Sequence, residues 1–169
     1  MILDINLTLS QNQAVTVTAP STGVIDLAGV GVGVPVPNRF GTATNFGEDI
    51  GIGDGVSPPQ LLVQVGTAFT AGGAATMRFQ LEAAVDTNNT GTPGTWDIID
   101  QTDDVPVALL TAGARPAIFT IPQRYLGQGF PRFYRVNYVI STGPMTAGTI
   151  GYAGFLTGVD NAPAYPAAF

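Results

Sequence analysis

Apolar and polar residues alternate with a period of two along much of this chain, and that pattern predicts strands rather than helices. The clearest strand is TMRFQLEAAV, residues 76–85. Successive side chains of a strand point to opposite faces. One face of this strand is apolar and is expected to point inward: Met77, Phe79, Leu81, Ala83 and Val85. The other face, with Arg78, Gln80 and Glu82, is expected to point outward.

A second alternating stretch, FYRVNYVISTGPMTAGTIGYAGFL, spans residues 133–156. It contains two apolar strands joined by a loop of small residues, and it predicts a β-hairpin. We expect the face from Tyr134 to Ile140 to lie in a sandwich core. The other face is also apolar, so it either meets the opposing layer or contacts a second subunit, and part of it is predicted to be an oligomer contact. That face carries Phe133, Val139 and Phe155.

Two glycines of this predicted hairpin, Gly151 and Gly154, leave space in its second strand. Large cross-strand neighbours such as Tyr134 or Tyr138 are expected to fill it. A related sequence, VGTAFTAGGAATMRFQL, also runs from a strand through a loop with Thr-Ala-Gly into another strand. We interpret the two sequences as similar hairpins that could share a sheet.

Shorter apolar runs complete the strand pattern. They are predicted at Ile5–Leu9, Ala14–Thr18, Val24–Leu27, Leu61–Val65, Trp96–Ile99, Val105–Leu110 and Ala117–Ile121. Turn sequences rich in Gly, Pro, Asn and Ser separate them. About ten short strands with such turns predict an all-β fold: an antiparallel β-sandwich with jelly-roll topology, in which residues 1–169 form a single domain.

Three segments fall outside this pattern. Residues 28–59 are rich in Gly and Pro, and they are interpreted as one loop that is longer than usual. The loop contains Phe40 and Phe46, which a solvated linker would not favour. Residues 1–9 are expected to form an N-terminal arm and residues 158–169 a C-terminal tail. Arms and long loops that carry apolar side chains can become ordered on binding a partner.

The composition removes several classes of function. The chain has no cysteine or histidine, and its six basic residues are all arginine. Imidazole bases, thiolate nucleophiles and lysine Schiff bases are therefore excluded, and we expect neither an enzyme nor a bound cofactor. The net charge of −6 argues against nucleic-acid binding, which needs a basic surface.

Two further observations concern membranes and export. No apolar run approaches the ~20 residues that a membrane helix needs, so no membrane partner is expected. The first residues, MILDINLTL, lack the basic region of a signal peptide. We therefore expect synthesis in the cytoplasm.

One turn resembles a calcium-binding loop. In DTNNTGTPGTWD, five residues occupy ligand or glycine positions of that pattern: Asp86, Asn88, Thr90, Gly91 and Asp97. The flanking segments are strands rather than helices, and the last ligand is Asp rather than Glu. Asp and Asn are also common in plain hairpin turns. A plain turn without metal is therefore the favoured interpretation, and calcium is the alternative.

Two arginines bracket the start of the predicted hairpin. Arg132 and Arg135 flank Phe133 and Tyr134. Arginine is favoured at interfaces because its planar group binds carboxylates and stacks on rings. The same residues could equally cap a sheet edge within their own subunit. The sequence leaves both interpretations open.

Several segments resemble the capsid cement (decoration) proteins of tailed bacteriophages. The resemblance begins with MILD and LSQNQAVTVTAPSTGVIDL, and continues in order through LLVQVGTAFTAGGAATMRFQLEAAVD, VPVALLTAGARPAIFTIPQRYL and FYRVNYVISTGPMTAGTIGYAGFLTG. It implies a jelly-roll fold, a homo-oligomer on the outer capsid surface and no catalysis, and it supplies no site residues. Residues 28–59 look longer than is usual in that family, and the tail DNAPAYPAAF also departs from it.

We therefore expect a structural virion protein that is made in the bacterial host and binds the outer capsid surface. Its expected partners are the major capsid protein and itself, as a dimer or trimer. The predicted capsid or subunit contacts are Ile2, Leu3, Arg39, Phe40, Phe46, Arg132, Phe133 and Arg135. One alternative is a carbohydrate-binding jelly-roll module that uses Trp96 and the tyrosines. The other is a tail or fibre component.

Overall fold

The computed structural model describes residues 2–27, 59–87, 91–121 and 131–157, with the backbone alone for residues 2–6 and 157. Ten strands and one short 3₁₀ helix form this part of the chain. They are β1 (Ile2–Ala14), β2 (Ala19–Pro20), β3 (Ile25–Asp26), β4 (Gln60–Ala71), β5 (Thr76–Ala84), β6 (Trp96–Gln101), β7 (Val105–Pro106), the 3₁₀ helix (Val107–Leu109), β8 (Ala117–Thr120), β9 (Phe133–Ser141) and β10 (Met145–Thr157). The described ranges contain no α-helix, so the all-β prediction is confirmed.

Two antiparallel sheets pack face to face, which confirms the predicted β-sandwich. The first sheet has the strand order β1-β10-β4-β8. The second sheet has the order β2-β9-β5-β6, and β3 pairs with β9 while β7 pairs with β5. All of these pairings are antiparallel.

The strand order is that of a jelly roll. The first strand pairs with the last, β2 and β3 pair with β9, β4 pairs with β8, and β5 pairs with β6. These pairs make the chain a long two-stranded ribbon. The ribbon is rolled up so that β10 also pairs with β4 and β9 also pairs with β5. Rolling creates the two sheets and encloses the apolar faces between them.

Inner faces of both sheets form the core, as the alternation predicts. Met77, Phe79, Leu81 and Ala83 are buried in it, whereas Val85 lies beyond the end of β5 and is half-buried. Two edge-to-face ring pairs lie in the core. Phe79 and Tyr138 have centroids 5.9 Å apart within the second sheet, and Tyr134 and Phe155 have centroids 6.0 Å apart between the sheets. Such pairs add about 0.5–1.5 kcal/mol beyond simple burial.

The predicted hairpin at residues 133–156 is wrong. Its strands, β9 and β10, belong to different sheets, and the short loop between them crosses from one layer to the other. The related sequence folds in the same way, because β4 lies in the first sheet and β5 in the second. The two crossings stand side by side, since β4 pairs with β10 and β5 pairs with β9. Period-2 alternation fixes which face is buried but not which strand is the neighbour.

Backbone and Tyr152, rather than the predicted tyrosines, fill the space at the two glycines of β10. A Cβ atom on Gly154 would lie 2.5 Å from the Leu7 carbonyl oxygen and 2.6 Å from the Tyr152 hydroxyl. A Cβ atom on Gly151 would lie 2.8 Å from the Cα atom of Gly66 on β4. Tyr134 and Tyr138 instead point into the core from the other sheet. The glycines therefore permit close contact between neighbouring strands.

Two more predicted segments differ from the structure. Residues 2–14 are the edge strand β1, so the predicted N-terminal arm is part of the first sheet. Leu7 and Leu9 are fully buried there, and a deletion of residues 1–9 would open the core. The strand predicted at Val105–Leu110 is shorter, because it turns after Pro106 into the 3₁₀ helix.

The two ends of the sandwich differ in the segments that they contain. One end, which we call the short-loop end, consists of residues 15–18, 72–75, 107–110 and 142–144. The residues that border the undescribed segments all lie at the opposite end. We call it the exit end, and it contains Ile2, Leu27, Pro59, Thr87, Gly91, Ile121, Pro131 and Thr157. The predicted loop 28–59 and tail 158–169 lie outside the described residues, except for Pro59.

Candidate functional site

Arg132 joins two carboxylates at the exit end. Its Nε and Nη2 atoms donate to the two carboxylate oxygens of Asp26 at 2.6 and 2.7 Å, and its Nη1 atom donates to Oδ2 of Asp86 at 2.5 Å. The three side chains are only 12, 9 and 5% exposed, respectively. The hydrogen bond to Asp26 raises the pKa of the Arg132 guanidinium. We call this group the Arg132 cluster.

Main-chain hydrogen bonds place the Arg132 cluster at a junction of three segments. The amide of Leu27 donates to the carbonyl of Arg132, and the amide of Arg132 donates to the carbonyl of Ala84, both at 2.9 Å. Asp86 is held further, because its Oδ2 atom accepts a hydrogen bond from the amide of Gly91 at 2.8 Å. The ends of β3 and β5 and the start of β9 are thus tied together by side chains and by backbone.

Arg135, three residues after Arg132 and within β9, belongs to a second polar cluster on the outer face of the second sheet. Its Nε atom donates to Oε2 of Glu82 at 2.6 Å, and its guanidinium lies 4.1 Å from the centre of the Trp96 ring. Glu82 is buried although it lies on the outward face of β5, as does Gln80. Their burial is a departure from the simple expectation for an outward face. It arises because β6 and β9 supply polar partners on both sides of β5.

A ladder of amides continues this outer face. Asn137, Gln80 and Gln101 lie directly opposite one another on β9, β5 and β6. Gln80 accepts a hydrogen bond from Asn137 and donates one to Gln101, and Asn137 also donates to Glu82. Among the residues that the structure describes, every buried side-chain nitrogen or oxygen has a hydrogen-bond partner. The outer face is therefore an internally satisfied network that holds three strands in register.

The calcium candidate is described only in part. Asp86 belongs to the Arg132 cluster, and Asp97 lies on β6. Asn88 and Thr90 lie outside the described residues, and Gly91 has a φ of +77°, as tight turns require. Within the described ranges, no three Asp, Glu, His or Cys side chains are grouped so that they could hold a metal ion.

The predicted contact residues fall into four groups. Ile2 and Leu3 are backbone partners of Thr157 and Leu156 in the first sheet, and their side chains are not described. Phe133 is only 2% exposed, and the Arg132 guanidinium lies 4.9 Å from the centre of its ring. Arg132 and Arg135 both bind carboxylates of their own chain, which is the second of the two interpretations left open by the sequence. Arg39, Phe40 and Phe46 lie outside the described residues.

The partners of these arginines could not be identified from the sequence. Asp26 is separated from Arg132 by 106 positions, and Glu82 from Arg135 by 53. Their pairing depends on β3, β5 and β9 being neighbours, which only the jelly-roll strand order establishes. Once the strand order is known, the position of Glu82 directly opposite Arg135 predicts their ion pair.

Apolar side chains are also exposed, and they are scattered over the surface. Val17 and Leu109, at the short-loop end, are 61 and 64% exposed. Ile118 lies on the outer edge strand β8, and Ile98 lies on the outer face of β6. The one helix of the described residues is a three-residue turn, and no helix there is long or apolar enough to cross a membrane.

Comparison with protein-family models assigns the chain to a family. A family model named Bbp16 matches residues 9–153, which run from β1 into β10 and so include almost all of the described sandwich. The chain belongs to the Bbp16 family. The name of the Bbp16 family suggests a phage-related protein. No curated protein matches the chain.

Proposed function

We propose that this Bbp16-family protein is a structural protein of a phage head. It binds the outer surface of the assembled shell and braces neighbouring subunits of the major capsid protein. The observation that carries the proposal is the family match over residues 9–153, because it spans nearly the whole jelly roll and names a family that suggests a phage origin. The resemblance of the strand and turn sequences to capsid cement proteins supports the same function.

The proposed mechanism depends on valency. A cyclic oligomer, such as a dimer or trimer of this chain, presents identical patches, and each patch can contact a different coat subunit. Once one patch has bound, the next contact is intramolecular and gains from a high effective concentration. Patches that are individually weak then bind the finished lattice, where their targets have the correct spacing, and bind free coat protein poorly.

The side chains of the sandwich are consistent with such a role. The large polar groups of the second sheet, in the Arg132 cluster and around Arg135, are bound to one another. A brace needs a rigid body between its contacts, because mobility would reduce the effective concentration. Arg78 is also paired, with Asp104 at 3.0 Å, so at least three of the six basic residues have a carboxylate partner within the chain. Few basic groups are left for a nucleic-acid partner.

The test is a binding experiment with shells and soluble coat protein. Heads stripped of their outer proteins are mixed with the purified protein and separated by sedimentation, and the same protein is mixed with unassembled coat subunits on a sizing column. We expect saturable binding to the heads and no stable complex with the subunits. Equal binding to both, or binding to neither, would refute the proposed function.

A carbohydrate-binding module is the main alternative. Such modules stack sugars on exposed rings, but Tyr134, Tyr138 and Tyr152 are buried here and one side of the Trp96 ring lies against Arg135. A polysaccharide pull-down tests this alternative directly. Localising the protein on intact virions distinguishes a head protein from a tail or fibre component.

A further inference from the structure

We propose that β1 exchanges between two copies of this chain, so that the β1 strand of each copy completes the first sheet of the other. The partner is a second copy, and the docking site is the edge of β10 that β1 covers in the structure. The exchange supplies the oligomer that the proposed function requires, and in that respect the inference rests on the proposed function. The exchange itself is a property of the purified protein.

The connection between β1 and β2 has a sequence that does not suit a turn. After β1 ends at Ala14, the chain bends at residues 16–18 and crosses from the first sheet to β2 in the second. The sequence of this bend is Thr-Val-Thr, and residues that branch at Cβ favour extended strands. Alternation over Ala14–Thr18 predicts a strand there, so the local preference and the observed bend disagree. We call residues 16–18 the hinge.

The other crossings at the short-loop end contain residues that suit turns. Gly-Gly occurs at residues 72–73, Gly-Pro occurs at residues 143–144, and the connection from the 3₁₀ helix to β8 contains Gly113 and Pro116. The hinge has neither glycine nor proline. Short hinges whose residues disfavour their bend promote exchange of the element that they carry, because the exchanged form lets the hinge straighten. The hinge therefore favours a form in which β1 continues straight into β2.

Exchange keeps the contacts that hold β1. The strand lies at the edge of the first sheet, where its neighbour is β10. Leu7 and Leu9 fill the core, and Ser10 meets Tyr138 of β9. The β1 strand of a second copy re-forms these contacts in the same register, since both copies have the same sequence. Exchange of identical elements is for this reason a low-cost route to a dimer.

The charge distribution allows two copies to meet at the short-loop end. The net charge of −6 makes copies repel each other where acidic surfaces face one another. The short-loop end has no charged residue in residues 15–18, 72–75, 107–110 and 142–144. In the exchanged dimer the two hinges pass each other at this end, about the two-fold axis. Val17, which is 61% exposed in the structure, then faces the same residue of the second copy.

Cysteine pairs test the exchange directly, because the natural chain has no cysteine. Ala14 on β1 lies directly opposite Thr149 on β10. The full chain with Ala14→Cys and Thr149→Cys is unfolded, refolded at high concentration and separated by size exclusion. Its dimer fraction is then oxidised and run on a denaturing gel without reductant. We expect covalent dimers, since each disulfide joins β1 of one copy to β10 of the other.

The matched control pair lies on two strands that stay within one copy. Thr76 on β5 is directly opposite Ser141 on β9. The dimer fraction of the variant with Thr76→Cys and Ser141→Cys is expected to give covalently closed monomers and no covalent dimer. Internal disulfides in both variants would refute the exchange. The absence of a dimer fraction at every protein concentration would refute it as well.

Variants of the hinge test its role as the cause. Thr16→Asn combined with Val17→Gly supplies turn residues for the bend, and we expect the dimer fraction to fall by on the order of tenfold. Val17→Asp changes an exposed side chain and brings two like charges together in the exchanged dimer alone, so it should also reduce the dimer fraction. Ala74→Gly, in a neighbouring crossing, is the control and should leave the dimer fraction unchanged. Equal loss in all of these variants would contradict the role of the hinge.

The head-binding assay separates this inference from the proposed function. If the exchanged dimer forms but does not bind heads, the proposed function fails and the exchange stands. If the protein on heads carries only internal disulfides between Ala14→Cys and Thr149→Cys, the exchange fails and the head-binding function stands.

Discussion

A buried hydrogen bond joins β1 of the first sheet to β9 of the second, and removing its two partners should have unequal effects. The hydroxyl oxygens of Ser10 on β1 and Tyr138 on β9 lie 2.7 Å apart, and both residues are buried. Ser10 has a second partner, because its hydroxyl lies 2.7 Å from Oε1 of Gln13. Among the described residues, the fully buried Tyr138 hydroxyl has Ser10 as its one hydrogen-bond partner.

The magnitudes follow from which group is left without a partner. Tyr138→Phe leaves Ser10 bound to Gln13, so it should cost about 1 kcal/mol, the net value of one hydrogen bond. Ser10→Ala leaves the tyrosine hydroxyl buried and unpaired, which should cost about 2 kcal/mol, within the 1–3 kcal/mol range for such groups. Gln13 still accepts from Thr22 and donates to Pro20 in that variant. The double variant has no orphaned hydroxyl, so it should be about 1 kcal/mol more stable than Ser10→Ala.

Urea unfolding followed by the fluorescence of Trp96, the single tryptophan, provides the four free energies of this cycle. The exposed pair Thr70 and Thr146, with hydroxyl oxygens 2.8 Å apart, is the matched control. Water replaces either of those hydroxyls, so their alanine variants should be additive within about 0.5 kcal/mol. If Tyr138→Phe destabilises the Ser10→Ala background, the buried hydroxyl is not orphaned by Ser10→Ala and the reasoning fails.

Two further predictions concern a glycine and the buried tyrosines. Gly148 has a φ of +132° and its Cβ position lies 2.3 Å from the Phe69 ring, whereas Gly143 has a φ of +116° with open space around it. Gly148→Ala should therefore destabilise the protein by more than about 3 kcal/mol in urea unfolding, and by clearly more than Gly143→Ala, which adds backbone strain alone; equal effects would contradict the steric argument. Burial raises the pKa of Tyr134 from 10.0 to about 12 and raises that of Tyr138 as well. Below pH 10 both tyrosines are neutral in the folded and in the unfolded chain. Above pH 10 only the unfolded chain ionises readily, so the free energy of unfolding should fall as pH rises toward 12, by up to about 1.4 kcal/mol per pH unit for each tyrosine. The tyrosinate absorbance of Tyr134 and Tyr138 should rise together with loss of the strand signal in circular dichroism. Full ionisation of all tyrosines while the strand signal is unchanged would contradict this prediction.

The sequence predicted the strands better than it predicted their neighbours. Alternation in TMRFQLEAAV placed Phe79 and Leu81 in the core, because a strand with one apolar face must bury that face. The same rule cannot distinguish a hairpin from a crossing between sheets. In both cases β9 and β10 follow one another after a short loop, and in both cases Tyr134 is buried. The T-shaped contact of Tyr134 with Phe155 forms across the core, so it depends on the layers and not on local spacing.

The polar clusters were less predictable than the core. The sequence indicates that Arg132 and Arg135 bind carboxylates or rings, and the structure shows both types of contact. Their partners depend on the strand order of the second sheet. Glu82 was expected to point outward, which is correct for its face, but only the neighbouring strands reveal that it is buried. Local pattern thus defines the face, and topology defines the environment.

The pairing of β1 with β10 has a consequence for how the chain folds. Within the described chain, β10 is the strand that pairs with β1, and the two are separated by most of the sequence. During synthesis Leu7 and Leu9 therefore remain without their neighbouring strand until β10 has left the ribosome. Closing contacts between distant segments is slow, and folds dominated by them take milliseconds to seconds. Folding of the sandwich is consequently completed only after β10 has been synthesised, and β1 is the described strand that stays longest without its neighbour and is open to aggregation until then.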